Sequence, residues 1–121
     1  MKTLLIVDDS RTVRMVLRKM LANTNLGMSE AENGLVALEA CKQQLPDAVL
    51  LDWNMPVMDG MGFLRGLRAL PGGEAPTVIL CTTESSPEYI VEALSAGANE
   101  YIMKPFDSDI VISKLEAAGV L

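Results

Sequence analysis

Five polar residues whose types and spacing could act together follow apolar stretches of the sequence: Asp8, Asp9, Asp52, Thr82 and Lys104. Three carboxylates in one cleft would repel one another and raise one another's pKa, so a cation is needed to keep them ionised. Because the candidate ligands are oxygens and the chain contains no histidine, the cation should be a hard one, Mg²⁺ or, in its place, Mn²⁺. Lysine and threonine beside such an ion would complete a cage around a phosphoryl group.

Asp52 is the acid in this set that could react. It lies between the Asp8–Asp9 pair on one side and Thr82 and Lys104 on the other, which makes it the best candidate for a nucleophile that attacks phosphorus and forms an acyl phosphate. Asp8 and Asp9 would hold the metal ion, and Lys104 would neutralise charge on the phosphoryl oxygens. The absence of histidine excludes Ser-His-Asp and Cys-His nucleophiles, His-ligated zinc and histidine phosphoacceptors.

Taken alone, each of these residues has an ordinary explanation as a helix cap, a strand residue or a solvated charge. Their interpretation as one site depends on a fold that brings them together. Short apolar runs predict five strands, at 4–7, 28–31, 48–51, 78–81 and 101–103, with helical spacing between them. This alternation predicts an α/β fold, a doubly wound, five-stranded parallel sheet with helices on both faces. Right-handed crossovers then place the carboxyl end of every strand at one edge, where such sheets bind ligands.

The five helices are predicted from apolar spacing and from their capping residues. Asp59 is predicted to cap the third helix, and the Ser86 hydroxyl the fourth, which begins with Pro87 and ends at Gly97. A fifth helix is predicted over 107–118. The predicted apolar faces are Val13, Val16, Leu17, Met20 and Leu21 in the first helix; Leu35, Ala37, Leu38, Cys41 and Leu45 in the second; Gly60, Phe63, Leu64 and Leu67 in the third; and Ile90, Val91 and Leu94 in the fourth. The basic residues of the first helix are predicted to point away from its apolar face: Arg11, Arg14, Arg18 and Lys19.

Length and composition bound the remaining possibilities. The 121 residues are predicted to form one domain over 1–121, with 50% hydrophobic and 21% charged residues, as in globular proteins. The net charge of −6 argues against nucleic acid as a partner, since phosphate binding needs a basic face. No apolar run approaches the roughly 18 residues of a membrane span, and two cysteines in apolar surroundings predict buried free thiols. We therefore expect a cytoplasmic, monomeric protein with no membrane contact.

Three motifs carry a resemblance to a known family: LIVDDS at 5–10, LDWNMPVMDG at 51–60 and YIMKPF at 101–106, with Thr82 between the last two. In this order and at this spacing, the chain resembles the receiver domains of response regulators, and within that family the stand-alone chemotaxis regulators, over essentially its whole length. The resemblance implies a flavodoxin-like receiver fold with strand order 2-1-3-4-5. It also implies a two-component response regulator that takes a phosphoryl group from a histidine kinase and is a signalling switch rather than a metabolic enzyme.

The resemblance assigns roles to residues around the acids. Asp52 matches the phosphoacceptor, Asp8 and Asp9 match the acids of the Mg²⁺ site, and Asn54 matches the residue whose backbone carbonyl completes that site. Asp52 itself is a ligand in the same set.

The resemblance also assigns a switch. Thr82 matches the hydroxyl that moves onto the phosphoryl group, Lys104 the lysine that pairs with it, and Tyr101 the aromatic residue that turns inward when the threonine moves. The bond between Lys104 and Pro105 matches a cis peptide. An output surface with Ile90 on the fourth helix, Tyr101 on the fifth strand and Lys114 on the fifth helix is implied as well. From its spacing alone, Ile90 could equally be a core residue.

Other positions bear on how long the acyl phosphate survives. Asn54 and Glu84 match the two variable positions that set the rate of dephosphorylation, and both have the identity found in chemotaxis regulators. Thr83 departs from the family, in which a very small residue is usual, and a β-branched side chain there could restrict access to the pocket. The fourth helix also lacks the lysines that chemotaxis versions often carry at its start.

The expected partners are a sensor histidine kinase or a histidine phosphotransfer protein, and a downstream protein such as the flagellar motor switch. A phosphorelay intermediate outside chemotaxis is an alternative. A Mg²⁺-dependent phosphatase of the haloacid-dehalogenase type also uses an Asp nucleophile, but it requires Asp-x-Asp where this chain has Asn54, and no cap domain is predicted. A flavodoxin-like electron carrier is disfavoured because the turn at 8–10 is acidic rather than hydroxyl- and glycine-rich.

Overall fold

The computed structural model describes residues 2–83 and 86–121 and contains the predicted alternation of strands and helices. The strands are β1 (Thr3–Val7), β2 (Gly27–Ala31), β3 (Ala48–Asp52), β4 (Thr77–Thr82) and β5 (Glu100–Met103); the helices are α1 (Arg11–Met20), α2 (Gly34–Gln43), α3 (Gly60–Ala69), α4 (Pro87–Ser95) and α5 (Ser108–Ala117). All strand pairs are parallel, and the order in the sheet is β2-β1-β3-β4-β5. Because the order reverses between β1 and β3, their carboxyl ends meet at the point where such folds hold ligands.

Both faces of the sheet are buried, which explains why the central strands read as continuous apolar runs. Successive side chains of a strand point to opposite faces, so each strand contributes to two cores. The core on the side of α2, α3 and α4 contains Leu5, Val7, Val49, Leu51, Val78, Leu80, Phe63, Leu64 and Leu67; the core on the side of α1 and α5 contains Leu4, Ile6, Leu50, Ile79, Cys81, Leu17, Leu21, Val111 and Leu115.

Four helices begin at a side chain that accepts a backbone N–H three residues further on. Ser10, Asn33, Asp59 and Asp107 make these bonds at the starts of α1, α2, α3 and α5, and the prediction for Asp59 is confirmed. In the described part of the chain α4 is the exception. Ser86 occupies the capping position, but its side chain makes no capping bond.

The predicted Ser86 hydroxyl cap is therefore wrong, and the reason is local competition. The hydroxyl donates to the carboxylate of Glu88, two residues further on. Gly97 does end the segment as predicted, with a φ of +117° in the left-handed region that glycine adopts without strain.

The predicted apolar faces of α1 and α2 are too wide. Val16 and Leu35 are each 42% exposed, and α2 ends before Leu45. The buried residues of α2 are Gly34, Ala37 and Cys41, all small. Small residues allow α2 to pack closely on the sheet and on α3, so its larger side chains extend to the margins of the contact.

At the amino-terminal edge of the sheet, Arg68 ties three segments together. Its guanidinium donates to the carbonyls of Gly97 (3.1 and 2.6 Å), Gly73 (2.9 Å) and Pro76 (2.8 Å), and to the Asn99 side-chain oxygen (3.0 Å). All five N–H donors of the arginine are thus used. This contact fixes the segment that follows α4 at the edge opposite the acids.

Candidate functional site

The three acids come together at the carboxyl edge. β1 and β3 are neighbours in register, with Val7 opposite Leu51, so Asp8 and Asp52 lie side by side. One carboxylate oxygen from each of Asp8, Asp9 and Asp52 lies within 4.8 Å of the others. Asp8 is only 3% exposed, whereas Asp9 is open to solvent. The cluster therefore has a buried side and an accessible side.

Lys104 approaches the acids from β5, on the far side of β4. Its Nζ lies 3.1 Å from Asp8 Oδ2 and 3.3 Å from Asp52 Oδ1. Its backbone N–H donates to the Thr82 carbonyl at 2.8 Å, which joins the end of β5 to the end of β4. The following bond to Pro105 is cis, as predicted. One ammonium group thus contacts two of the three carboxylates.

The pKa values of this group follow from burial and crowding. Burial raises the pKa of Asp52, the nearby Asp8 carboxylate raises it further, and Lys104 only partly offsets both. Burial by itself would lower the pKa of Lys104, but the Asp52 and Asp8 carboxylates outweigh it and raise that pKa. The lysine therefore stays charged, while a single ammonium does not relieve the crowding of the acids.

Backbone donors fix the directions of two carboxylates. Asp8 Oδ1 accepts the Ser10 N–H at 2.9 Å, and Asp52 Oδ1 accepts the Trp53 N–H at 2.9 Å. Since Lys104 also bonds Asp52 Oδ1, the contacts on Asp52 fall on one oxygen. Among the described residues, Asp52 Oδ2 accepts no hydrogen bond, and it is the oxygen left for chemistry.

The loop after Asp52 contains Asn54 and is fixed at several points. The Gly60 N–H donates to the Trp53 carbonyl at 2.9 Å, and the Gly34 N–H donates to the Met58 carbonyl at 2.9 Å. A Cβ on Gly34 would lie 2.5 Å from that carbonyl oxygen, so only glycine permits the contact. These bonds hold the loop against the start of α2.

Within this loop, the Met58 N–H donates to the Pro56 carbonyl at 2.8 Å and closes a three-residue γ-turn. Val57 at its centre has a φ of +70°, a strained conformation for a β-branched residue, and its side chain is 77% exposed. Trp53 is buried, with 7% of its surface exposed. Asn54 is exposed beside it.

The residues assigned to the switch lie on neighbouring strands. Thr82, 2% exposed, pairs with Met103 at the end of β4, and Tyr101 lies two residues earlier on β5, half-buried against the core. Thr83 is exposed and lines a groove of about 430 Å³ together with Val13, Lys104 and Phe106. Glu84 lies outside the described residues.

Of the predicted output residues, Tyr101 and Lys114 line one groove, in which Ile90 is not found. Ile90 and Lys114 are half-buried, and Lys114 Nζ lies 3.2 Å from Glu100 Oε2, a partner that the sequence did not suggest. In the described part of α4, Ala93 is the one buried residue; Val91 and Leu94 are 61% and 42% exposed. The predicted inward face of this helix is therefore wrong for Val91 and Leu94.

Sequence reasoning missed one contact at the site itself. Arg14 was expected to point away with the other basic residues of α1, yet its Nη1 donates to the backbone carbonyl of Asp8 at 2.6 Å. The available signal was Glu30, an acid on the weak strand β2 that lies beside α1 and attracts this arginine.

The comparisons with known proteins agree with this geometry. Residues 4–116 match the response regulator receiver domain, and the chain belongs to that family. It is similar to the chemotaxis protein CheY-3 of Vibrio cholerae, at 39% identity over 93% of this chain and 88% of that protein. It is also similar to CheY of Bacillus subtilis, at 34% identity over 93% and 92% of the two chains.

Among solved structures, CheY4 of Vibrio cholerae has a TM-score of 0.91 at 30% identity and covers 100% of this chain and 99% of its own. The response regulator domain of Thermotoga maritima CheB has a TM-score of 0.84 at 27% identity, covering 99% and 97%. The predicted family, the receiver fold with its strand order, and the function of a two-component response regulator of the chemotaxis class are confirmed. The family consists of signalling regulators and not of classical enzymes. In the described ranges, no helix is both long and apolar enough to cross a bilayer.

Proposed function

We propose that Asp52 accepts a phosphoryl group in a Mg²⁺-dependent reaction from a sensor histidine kinase or a histidine phosphotransfer protein. The observation that carries the proposal is the contact of one ammonium, Lys104 Nζ, with two carboxylates of a three-carboxylate cluster, at 3.1 and 3.3 Å. The phosphorylated chain, one receiver domain over 1–121, would then control a downstream protein such as the flagellar motor switch.

The reaction at Asp52 follows from the contacts of its two oxygens. Oδ1 is bonded to the Trp53 N–H and to Lys104, which leaves the lone pairs of Oδ2 to attack phosphorus. The new Oδ2–P bond forms as the P–N bond of a phosphohistidine breaks, and the electron pair stays on the imidazole nitrogen, which takes up a proton. Lys104 stabilises negative charge on the phosphoryl oxygens as they are transferred.

Asp8, Asp9, Asp52 and the backbone carbonyl of Asn54 are the residues that would hold Mg²⁺, or Mn²⁺ in its place. The donor set fits a hard divalent ion because its side-chain ligands are carboxylate oxygens. Three carboxylates opposed by one ammonium leave two negative charges in a partly buried cleft, which a divalent cation balances. When bound, the ion supplies positive charge for the phosphoryl oxygens.

The proposed switch couples this site to the output surface. Movement of the Thr82 hydroxyl onto the phosphoryl group would vacate space that Tyr101 fills by changing rotamer. This change would alter the surface formed by Ile90, Tyr101 and Lys114, which a partner reads. Asn54, Thr83 and Glu84 would set the lifetime of the acyl phosphate, and Thr83 lines the groove beside Lys104.

The chain's own activity would be limited to taking phosphoryl groups from small donors and to hydrolysing its own acyl phosphate slowly. A phosphatase would instead turn over many substrate molecules, and a phosphorelay intermediate would pass the group to another histidine. We also propose a cytoplasmic, monomeric protein that binds neither nucleic acid nor membrane. The two buried, unpaired cysteines favour a reducing compartment.

The test is phosphorylation with acetyl phosphate, followed by mass spectrometry, with and without Mg²⁺. Wild type should gain one phosphoryl group on Asp52 only with Mg²⁺, and Asp52→Asn should gain none. Mg²⁺ should change the fluorescence of Trp53 in wild type but not in Asp9→Ala. Lys104→Ala should impair activation more than folding. A phosphoryl group retained in Asp52→Asn, or an unchanged Mg²⁺ titration in Asp9→Ala, contradicts the proposal.

The output surface is tested separately, with a partner protein and beryllofluoride as the phosphoryl mimic. Wild type should bind the partner more tightly by about 1–3 kcal/mol when beryllofluoride is present, the usual size of an allosteric coupling. Tyr101→Ala should lose most of this difference. Equal affinity of wild type in the two states would mean that this surface is not the output.

A further inference from the structure

The Asp8–Asp9 segment is held by a contact that belongs to neither carboxylate. Arg14 on α1 donates from Nη1 to the backbone carbonyl of Asp8 at 2.6 Å, and its side chain is only 14% exposed. We propose that Arg14 is a positioning residue of the metal site, which orients the Asp9 carboxylate through the peptide bond between Asp8 and Asp9. This inference rests on the proposed Mg²⁺ function of the same site.

The two neighbouring acids are held very differently. The Asp8 backbone N–H donates to the Ala31 carbonyl at 3.1 Å, its Oδ1 accepts the Ser10 N–H, and its Oδ2 contacts Lys104. Within residues 2–83 and 86–121, no hydrogen bond or ion pair holds the exposed carboxylate of Asp9. The direction of Asp9 therefore depends on its backbone.

The backbone of Asp9 is fixed at one end by Arg14. A peptide unit is planar, so the carbonyl of Asp8 and the N–H of Asp9 turn together. An arginine that holds the Asp8 carbonyl in one direction thus fixes the plane from which the Asp9 side chain departs. Without this contact the Asp8–Asp9 peptide is held only through the Asp8 and Ser10 N–H groups on either side of it and can tilt more, so the Asp9 carboxylate spends less time facing Asp52.

Glu30 on β2 in turn holds Arg14. Its Oε1 lies 2.8 Å from Arg14 Nε, and its Oε2 bonds Arg18 one turn further along α1. Arg14 thus uses one edge of its guanidinium for Glu30 and another nitrogen for Asp8, which a lysine cannot do. Arg18 uses its remaining contact for the Met28 carbonyl, away from the acids.

Arg18 is therefore a matched control for Arg14. Each pairs with the same carboxylate from the same helix, and only Arg14 contacts the Asp8–Asp9 peptide. Arg14→Met and Arg18→Met each remove one ion pair to Glu30 and one contact with a backbone carbonyl, and because Arg14 is the more buried of the two, Arg14→Met should lower the urea midpoint more. Only Arg14→Met should disturb the metal site.

The experiment is a titration of Mg²⁺ alone, followed by Trp53 fluorescence. Arg14→Met should raise the Mg²⁺ dissociation constant about tenfold, the lower end of what losing an orienting partner costs a metal site, while Arg18→Met should leave it within about twofold. Arg14→Lys, which keeps the charge and can make either contact but not both, should fall between and also serves if Arg14→Met does not fold. Because Arg14 acts on binding, the phosphorylation rate of Arg14→Met with acetyl phosphate should return to the wild-type value at saturating Mg²⁺.

Three outcomes decide the matter. If Mg²⁺ leaves the fluorescence of Trp53 unchanged in wild type, or changes it equally in Asp9→Ala, the proposed Mg²⁺ function of the site is refuted, and this inference with it. If wild type responds but Arg14→Met and Arg18→Met bind Mg²⁺ alike, the proposed function stands and this inference is overturned. A rate that stays low in Arg14→Met at saturating Mg²⁺ also overturns it, because Arg14 would then act on the chemistry and not on Asp9.

Discussion

Replacing Asp52 with asparagine should make the metal-free protein more stable, although it removes the proposed nucleophile. With an effective dielectric constant of about 20, unit charges 3.3 Å apart interact by about 5 kcal/mol and charges 4.8 Å apart by about 3.5 kcal/mol. Asp52 has one attraction at 3.3 Å, to Lys104, and repulsions from Asp8 and Asp9, whose oxygens lie within 4.8 Å. The repulsions exceed the attraction by about 2 kcal/mol, and burial adds to the cost of the charge.

We therefore expect Asp52→Asn to raise the free energy of unfolding by about 1–2 kcal/mol in EDTA, since the amide keeps an acceptor for the Trp53 N–H. Urea unfolding followed by circular dichroism measures this. Glu116→Gln, which removes one exposed negative charge from α5, controls for the net charge of −6. Saturating Mg²⁺ should stabilise wild type more than Asp52→Asn, because the ion binds only the folded state. Equal or lower stability of Asp52→Asn in EDTA, or a gain no larger than that of Glu116→Gln, refutes the charge argument.

The same comparison has a pH dependence of known sign. Burial, and then the Asp8 carboxylate, raise the pKa of Asp52 in the folded state. A carboxyl with a raised pKa favours the folded state at low pH, and this advantage is lost as the pH rises through its folded-state pKa. The stability difference between Asp52→Asn and wild type should thus be full at neutral pH. It should narrow as the pH falls to where an ordinary aspartate takes up a proton, because a protonated carboxyl and an amide carry the same charge.

Three further predictions concern residues outside the acid cluster. Val57→Asn should raise the free energy of unfolding by about 1 kcal/mol in urea titrations, because asparagine tolerates the φ of +70° and little burial is lost; a destabilised variant would contradict the strain. Burial raises the pKa of Cys41 to about 11 and that of Cys81 to about 12. In the native protein at pH 8 neither cysteine should react with a thiol reagent, whereas both should react in denaturant. Rapid reaction of the native protein would contradict their burial. Arg68→Met should lower the free energy of unfolding by about 2–4 kcal/mol, because several backbone carbonyls lose their hydrogen-bond donor. The control, Arg65→Met on the exposed side of α3, should change the free energy of unfolding by under about 0.5 kcal/mol. Equal losses in the two variants would show that the Arg68 contacts contribute little.

The fold and the meeting of the acids were predictable because both depend on patterns that a sequence displays directly. Strands that are buried on both faces appear in the sequence as apolar runs. In a parallel sheet the carboxyl ends of all strands lie at the same edge, so the residues that follow them are brought together. The carboxyl ends of β1, β2 and β5 agree with the prediction, whereas β3 and β4 each extend one residue further, so that Asp52 and Thr82 are the last residues of these strands and do not follow them.

The details that could not be predicted depend on tertiary neighbours. Val16 and Leu35 fit an apolar face by spacing, but whether a neighbour covers them depends on how each helix is rotated against the sheet. The Ser86 hydroxyl could bond either a backbone N–H in the first turn of α4 or the carboxylate of Glu88, and the sequence does not determine which of the two bonds forms. The contact of Arg14 with the site is the main functional feature that the sequence did not predict. An arginine on a helix surface gives the same sequence pattern whether it points to solvent or donates to a carbonyl at the site.

Lys104 lies far along the sequence from both carboxylates that it contacts, and this separation has a consequence for protein synthesis. Lys104 lies 96 residues after Asp8 and 52 after Asp52. A nascent chain on the ribosome therefore exposes its acids well before the cation that pairs with them, and a chain that stops short of β5 has an incomplete centre. Because domains of this size fold as units, the three carboxylates and Lys104 come together only late, once β5 has been made. A copy that ends before Lys104 lacks the ammonium that contacts Asp8 and Asp52.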